Sequence, residues 1–147
     1  MEEQKICKNS NTKSLSTRPS NNNNITSTKK CGAKEEVKLA ALVILLKAKL
    51  RSADMPFTMQ ERALCFTRSF LDAAPMNSTR LKPSPLACAL KKEFDTRYGA
   101  AWHCIVGKSF GSYVTHSNGG FLYFSFDSVF VLLFQTRVHL LASTSHD

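Results

Sequence analysis

Two repeat periods divide this chain. Between about residue 58 and Gly99 the apolar residues recur at helical spacing, and after Gly99 they alternate with period two. Thr58-Met59-Gln60-Glu61 opens the first region. Thr58 is expected to cap the free amides of a helix start, with Glu61 at the reciprocal capping-box position. Ala63, Phe66, Thr67, Phe70 and Leu71 then share a face, and Pro75 stops the helix. The polar run MNSTRLKP reads as a loop. Ser84 is expected to cap a second helix, with Pro85 in its favoured first position. Leu86, Leu90 and Phe94 line one face of that helix, and Lys91, Lys92, Glu93 and Asp95 fall mostly on the other. Gly99 ends it as a left-handed residue.

The alternating region predicts four strands: WHCIVG (102–107), FGSYVTH (110–116), FLYFSF (121–126) and SVFVLLFQ (128–135). Lys108-Ser109, Ser117-Asn118-Gly119-Gly120 and a tight turn at Asp127 join them as short hairpin links. Two helices followed by an antiparallel meander give an α+β domain with helices packed on a sheet.

Upstream, AKEEVKLAALVILLKAKLR is helix-rich in composition and strongly apolar from Leu39. Leu39, Leu42, Val43, Leu46 and Leu50 would share one helical face. Its end, KAKLR, also suits an edge strand with its charges facing out. The reading leans to a helical extension over 37–46 that runs into a strand near 47–52. Residues 1–36 hold four consecutive asparagines, many Ser, Thr and Lys, and almost no apolar residues. Too little surface is available there to offset the entropy of ordering, which predicts a disordered tail. Residues 137–147 read as a C-terminal tail. A core this small is marginal alone, and oligomerisation is a common remedy.

Charge adds one possibility. The chain carries a net +9, and residues 1–36 hold seven Lys or Arg against four Asp or Glu. A basic surface attracts nucleic acid, anionic lipid or acidic partners, but it also keeps a protein soluble. The five cysteines, at 7, 31, 65, 88 and 104, are odd in number and lack a Cys-x-x-Cys. That argues against a disulfide framework or a zinc module and favours reduced thiols. MEEQKICKNS lacks an apolar signal core, and neither LAALVILL (39–46) nor FLYFSFDSVFVLLF (121–134) reaches the roughly 20 residues of a membrane span. The expectation is a soluble protein that is not secreted.

WHCIVGKSFGSYVTH holds the one tryptophan and two of the four histidines. His103 beside Cys104 suggests a catalytic dyad, yet neighbours on a strand point to opposite faces and cannot pair as base and nucleophile. A metal site from His103, Cys104 and His116 fails for the same reason and lacks a fourth ligand. Cys104 shares a face with Trp102 and Val106 and reads as a core residue. No Gly-rich loop opens a helix, so nothing cradles a phosphate. Aromatic residues Phe110, Tyr113, Phe121 and Tyr123 beside a basic tail could stack bases, which makes a nucleic-acid-binding protein the second reading. FGSYVTH itself mixes small, polar and aromatic residues. It suits a strand with an open edge, able to accept a peptide or a second subunit.

KKEFDTRYGAAWHCIVGKSFGSYVTH, with GGFLYFSFDSVFVLLF after it and SADMPFTMQERAL before it, closely resembles the dynein light chain family of small dimeric hubs, in its plant-like branch. The likeness covers residues 47–136. It implies a strand-exchanged homodimer in which each FGSYVTH crosses to complete the other subunit's sheet. It further implies a non-enzymatic adaptor without cofactors, serving the dynein motor and microtubule transport. Its partners would be itself and proteins with short disordered Thr-Gln-Thr-like motifs, such as a dynein intermediate chain, added as an extra strand. No small-molecule substrate or membrane is implied. The implied location is cytoplasm and cytoskeleton, with the nucleus also open.

Carried onto this sequence, the groove strand is Phe110, Gly111, Ser112, Tyr113, Val114, Thr115 and His116. Phe121 and Tyr123 form the floor, and Arg51 is a basic residue near the peptide. His103, Ser112, Tyr113 and Val114 make the dimer contact. Protonation of His103 would bring two like charges near the axis and weaken the dimer in mild acid. This chain departs from the family where Pro83 and Ser84 replace a charged pair, Ser125 replaces a common aromatic, and Phe130 replaces a small groove residue.

Overall fold

The computed structural model describes residues 26–74 and 83–138. Its elements run in the order α1 (Thr26–Leu45), β1 (Ala48–Asp54), α2 (Phe57–Asp72), α3 (Pro83–Tyr98), β2 (Trp102–Gly107), β3 (Phe121–Phe126) and β4 (Val129–Gln135). The strands form one antiparallel sheet in the order β1-β3-β4-β2. The fold is α+β, as the pattern predicts, with three helices described where two were expected.

The extra helix is the apolar extension. Leu39, Leu42, Val43 and Leu46 pack against the core, the face that their spacing predicts. α1 also reaches back to Thr26, into the stretch that composition reads as a disordered tail. Residues 1–25 and the end of the C-terminal tail lie outside the described residues. Lys47, at φ 55°, turns the chain from α1 into β1, and its amide donates to the Ile44 carbonyl at 3.1 Å.

Both expected helix caps move. α2 starts after Pro56, whose carbonyl accepts from the amides of Met59 and Gln60, each at 3.1 Å. No side chain caps this end, and Thr58 lies inside the first turn. Proline fits before a helix because its fixed φ suits the position and its missing N–H is not required there. α3 begins at Pro83, which puts Ser84 within the helix rather than ahead of it. Pro75 and most of the polar loop lie outside the described residues. Gly99 has φ 88° and ends α3 as expected.

The core lies between the helices and one face of the sheet. Leu64, Leu86, Leu90, Phe94, Trp102, Leu122, Phe124, Val131 and Leu133 are essentially closed to solvent. Burying each such side chain is worth about 1.5–3 kcal/mol. Phe94 anchors the cluster: its ring meets Trp102 edge-on at 4.9 Å and tilts against Tyr98 at 5.0 Å. Asp95 fixes the α3–β2 junction by accepting from the Trp102 amide at 3.0 Å and from Lys91. Arg62 of α2 and Arg97 of α3 both donate to Glu93 Oε1, at 2.9 and 3.0 Å, which ties the two helices together.

Three of the four predicted strands form. FGSYVTH does not join the sheet. β2 pairs with β4 rather than with the segment that follows it, so the expected sequential meander is corrected. The β3–β4 hairpin does form, and Asp127, at φ 49°, supplies the left-handed residue of its two-residue link.

Candidate functional site

Residues 110–116 keep a strand-like alternation of burial without belonging to a ladder among the described residues. Phe110, Ser112, Val114 and His116 are partly buried, while Gly111, Tyr113 and Thr115 are exposed. Tyr113 is 68% exposed. The period of two predicted from sequence is therefore real in its burial, and the segment joins no strand ladder among the described residues. β2 borders β4 on one side only, and its other edge pairs with no strand among the described residues.

The segment is pinned beyond His116. The Ser117 amide donates to the Gln135 carbonyl at 2.7 Å, Gly120 N–H to Ser117 at 3.0 Å, and Gln135 N–H to Gly120 at 2.8 Å. A Cβ on Gly120 would lie 3.0 Å from Gln135 Cβ, so only glycine fits without movement. Gly119 N–H donates to Asp54 at 3.3 Å. This contact spans 65 residues, and no local sequence signal marks Asp54 as an anchor.

His116 sits inside this junction with its side chain only 4% exposed. Its ring tilts against Phe121 at 4.7 Å. Nδ1 lies 2.9 Å from the Ser117 carbonyl and 3.8 Å from Asp54 Oδ2. A carbonyl can only accept, so Nδ1 carries the hydrogen in this contact. Nε2 is buried without a partner among the described residues.

The sheet face away from the helices carries the remaining site residues. Phe110 reaches Tyr123 at 6.2 Å, and Tyr123 stacks with Phe130 at 6.2 Å. Arg51 holds its guanidinium 5.5 Å from the centre of the Phe130 ring. A bulge aims it there: Leu50 pairs with Phe124 and Ser52 with Tyr123, which leaves Arg51 as the extra residue. Arg51, Phe110, Tyr123 and Phe130 are thus gathered into one patch, and His116 and Phe121 into a second. Sequence reading placed Arg51 near the peptide but missed the bulge, whose extra residue no motif announces.

His103 stands apart from both patches, on the outer strand β2. It is exposed, stacks on Phe134 at 5.0 Å, and lies 3.1 Å from Thr136 Oγ1 through Nε2. Cys104 points the other way, into the core, as strand parity predicts. Burial pushes its thiol up to about 12, so it is not a thiolate at neutral pH. His103 and Cys104 cannot act as a dyad. Among the described residues there is no cluster of three His, Cys, Asp or Glu able to hold a metal ion, and no helix long and apolar enough to cross a membrane. Pro83 and Ser84 lie exposed at the start of α3.

Comparison with known proteins decides the family. The family described as dynein light chain type 1 matches residues 47–136. This chain belongs to the dynein light chain family. A dynein light chain from Schistosoma mansoni is 40% identical over 90 residues, which cover 61% of this chain and 94% of the relative. Two structures of the dynein light chain-like domain of the Fasciola hepatica calcium binding protein FhCaBP2, a mercury derivative and a native one, are also similar, each at 19% identity. One covers 62% of this chain and 93% of its own, with a TM-score of 0.48. The other covers 61% and 91%, with a TM-score of 0.49. The dynein light chain match begins at Lys47, so α1 lies outside it.

Proposed function

We propose that this chain is a non-catalytic, dimeric adaptor that binds short linear peptides by strand addition. One observation carries the proposal: residues 110–116 alternate in burial as a strand does, yet join no ladder among the described residues. An extended segment with that pattern and a sheet with an open β2 edge are complementary between two copies of the chain. Exchange would pair Ser112, Tyr113 and Val114 with the second copy, and His103 on β2 would lie at the contact. The other edge of the exchanged strand would then receive a peptide, with main-chain pairing supplying much of the affinity. Gly111, Thr115 and His116 complete the strand. Phe110, Phe121, Tyr123 and Arg51 line the floor and rim. His116 Nε2 suits a hydrogen-bond donor from the peptide.

The clients are proteins with short disordered Thr-Gln-Thr-like motifs, a dynein intermediate chain among them. The setting is the dynein motor of the cytoplasmic microtubule cytoskeleton, with the nucleus as a second location. A positive charge at position 103 of both copies, as in His103→Lys, should weaken the dimer. Sedimentation of an unchanged His103→Lys dimer would remove His103 from the contact.

Titration of the full chain with a fluorescent Thr-Gln-Thr peptide, with mass followed by light scattering, tests the function. Saturation at two peptides per dimer is expected. A monomer that ignores the peptide overturns the proposal. Peptide-independent binding to single-stranded nucleic acid, with affinity falling steeply in salt, would favour the second reading instead.

A further inference from the structure

α1 has two apolar faces, and the domain uses one of them. Leu39, Leu42, Val43 and Leu46 pack against the core. Val37, Ile44 and Leu45 of the same helix are 70%, 77% and 78% exposed. They make up half of the large hydrophobic residues that the described chain leaves in water, so the exposure is concentrated in one short stretch. An α-helix turns about 100° per residue, which puts Lys34, Val37, Lys38, Ala41, Ile44 and Leu45 within roughly a third of its circumference. Glu35 and Glu36 fall on the opposite arc, with Leu39, Val43 and Leu46.

The outer arc is therefore apolar and basic, with no carboxylate on it. Lys34 and Lys38 are exposed, as is Lys47 where the helix ends. None of the three forms an ion pair among the described residues. Charge selects what can cover this face. A second copy docked by the same arc would bring two more lysines and no acid to pair with them. An anionic bilayer answers both features at once. Its headgroup–acyl boundary takes up the exposed apolar side chains, while the lysine stems reach along the helix to the phosphates. α1 is not long and apolar enough to cross a membrane, so it would lie in the plane of the interface. The family match begins at Lys47, and the basic apolar arc is thus something this chain adds to the shared domain.

We propose that the outer face of α1 docks on anionic lipid bilayers, with Val37, Ile44 and Leu45 entering the interface and Lys34 and Lys38 meeting the lipid phosphates. This contact needs neither strand exchange nor a peptide. α1 packs on the helical side of the sheet, whereas Phe110 rests on Tyr123 of the other side, so a membrane-bound chain keeps residues 110–116 open.

The test is co-sedimentation of the full chain with vesicles of phosphatidylcholine alone or with about one part in four of phosphatidylserine. Binding should be at least about tenfold stronger to the vesicles with phosphatidylserine, and the difference should shrink as salt is raised. The double variant Ile44→Gln/Leu45→Gln should lose at least about fivefold of that binding. Both side chains are exposed, so its urea midpoint should stay where it was. Lys34→Gln/Lys38→Gln should weaken binding to the phosphatidylserine vesicles by about tenfold and leave phosphatidylcholine binding nearly unchanged. Equal binding to the two vesicles, or binding to neither, would overturn the proposal. Full binding by Ile44→Gln/Leu45→Gln would also overturn it, since the attraction would then belong to basic residues elsewhere in the chain. A rise in mass with concentration in the absence of lipid, abolished by Ile44→Gln/Leu45→Gln, would give the face to a second copy instead.

Discussion

The two faces of the sheet are finished in different ways. On the helical face every large side chain has a partner from its own chain: Phe94 meets Trp102 and Tyr98, and Leu86, Leu90, Leu122 and Leu133 are closed to solvent. The other face is bordered by a segment that has strand periodicity and joins no ladder among the described residues, and it keeps Tyr113 and Ile105 exposed. The helical face is where the single chain gets its stability. The other face carries the open β2 edge and the segment on which the proposed partner contacts rest. Separating the two would let a protein of this size keep its fold independent of those proposed partners.

Substitution should break the comparison most clearly at Phe94. Phe94→Ala leaves a cavity among Trp102, Tyr98 and the buried leucines, and should cost about 3–5 kcal/mol. The urea midpoint of the full chain measures this loss. Val114→Asp is the counterpart on the segment. It should lower dimer affinity by at least about tenfold, since it buries a charge in the proposed contact. Helical circular dichroism should survive. A collapse of the fold like that of Phe94→Ala would mean that the segment supports its own chain after all.

Acid should act on the helical side. Burial opposes ionisation of Asp95, but the hydrogen bonds from Lys91 and the Trp102 amide, with the charges of Lys91 and His103, outweigh it and hold the carboxyl below its usual range. Glu93 is held low chiefly by its bond from Arg97, with Arg62 adding to it. A carboxylate whose folded-state pKa is depressed stabilises the fold above its unfolded value, near 4, and loses that contribution as pH falls through the folded one. Stability should therefore drop below about pH 4. Asp95→Asn should flatten that limb and cost about 1 kcal/mol at neutral pH. Urea midpoints from pH 2.5 to 7 would show both effects. The smallest effect is chemical. Iodoacetamide at pH 7.5 should modify exposed Cys88 and leave Cys104 unmodified until the chain unfolds, as peptide mass mapping would report.

Periodicity carried most of the fold. The 3.6 spacing of Leu86, Leu90 and Phe94, and the alternation in WHCIVG and FLYFSF, mark structure that depends on burial within the chain. Caps were less legible. Thr58 and Ser84 have suitable side chains, but Pro56 and Pro83 sit where each helix begins. The candidate site was legible only in part. Alternation in FGSYVTH marks strand-like exposure, but a period of two is the same whatever a strand pairs with, and this segment joins no ladder among the described residues. The link from Asp54 to Gly119 and the bulge at Arg51 are long-range and register effects, which no short window of sequence contains.

The strand order has a consequence for how the chain is made. β1 and β2 touch neither each other nor any strand but the β3–β4 hairpin, which is the last part of the sheet to be synthesised. A nascent chain that ends at Gly120 has both outer strands and the three described helices but no centre to hold them. Leu86, Leu90 and Phe94 then have no sheet to cover them, and two unpaired strands are exposed together. Assembly must wait for residues 121–135 and then close contacts across long stretches of chain, a slow topology. Stalled synthesis or a premature stop within that hairpin should yield not a weakened domain but an aggregating fragment.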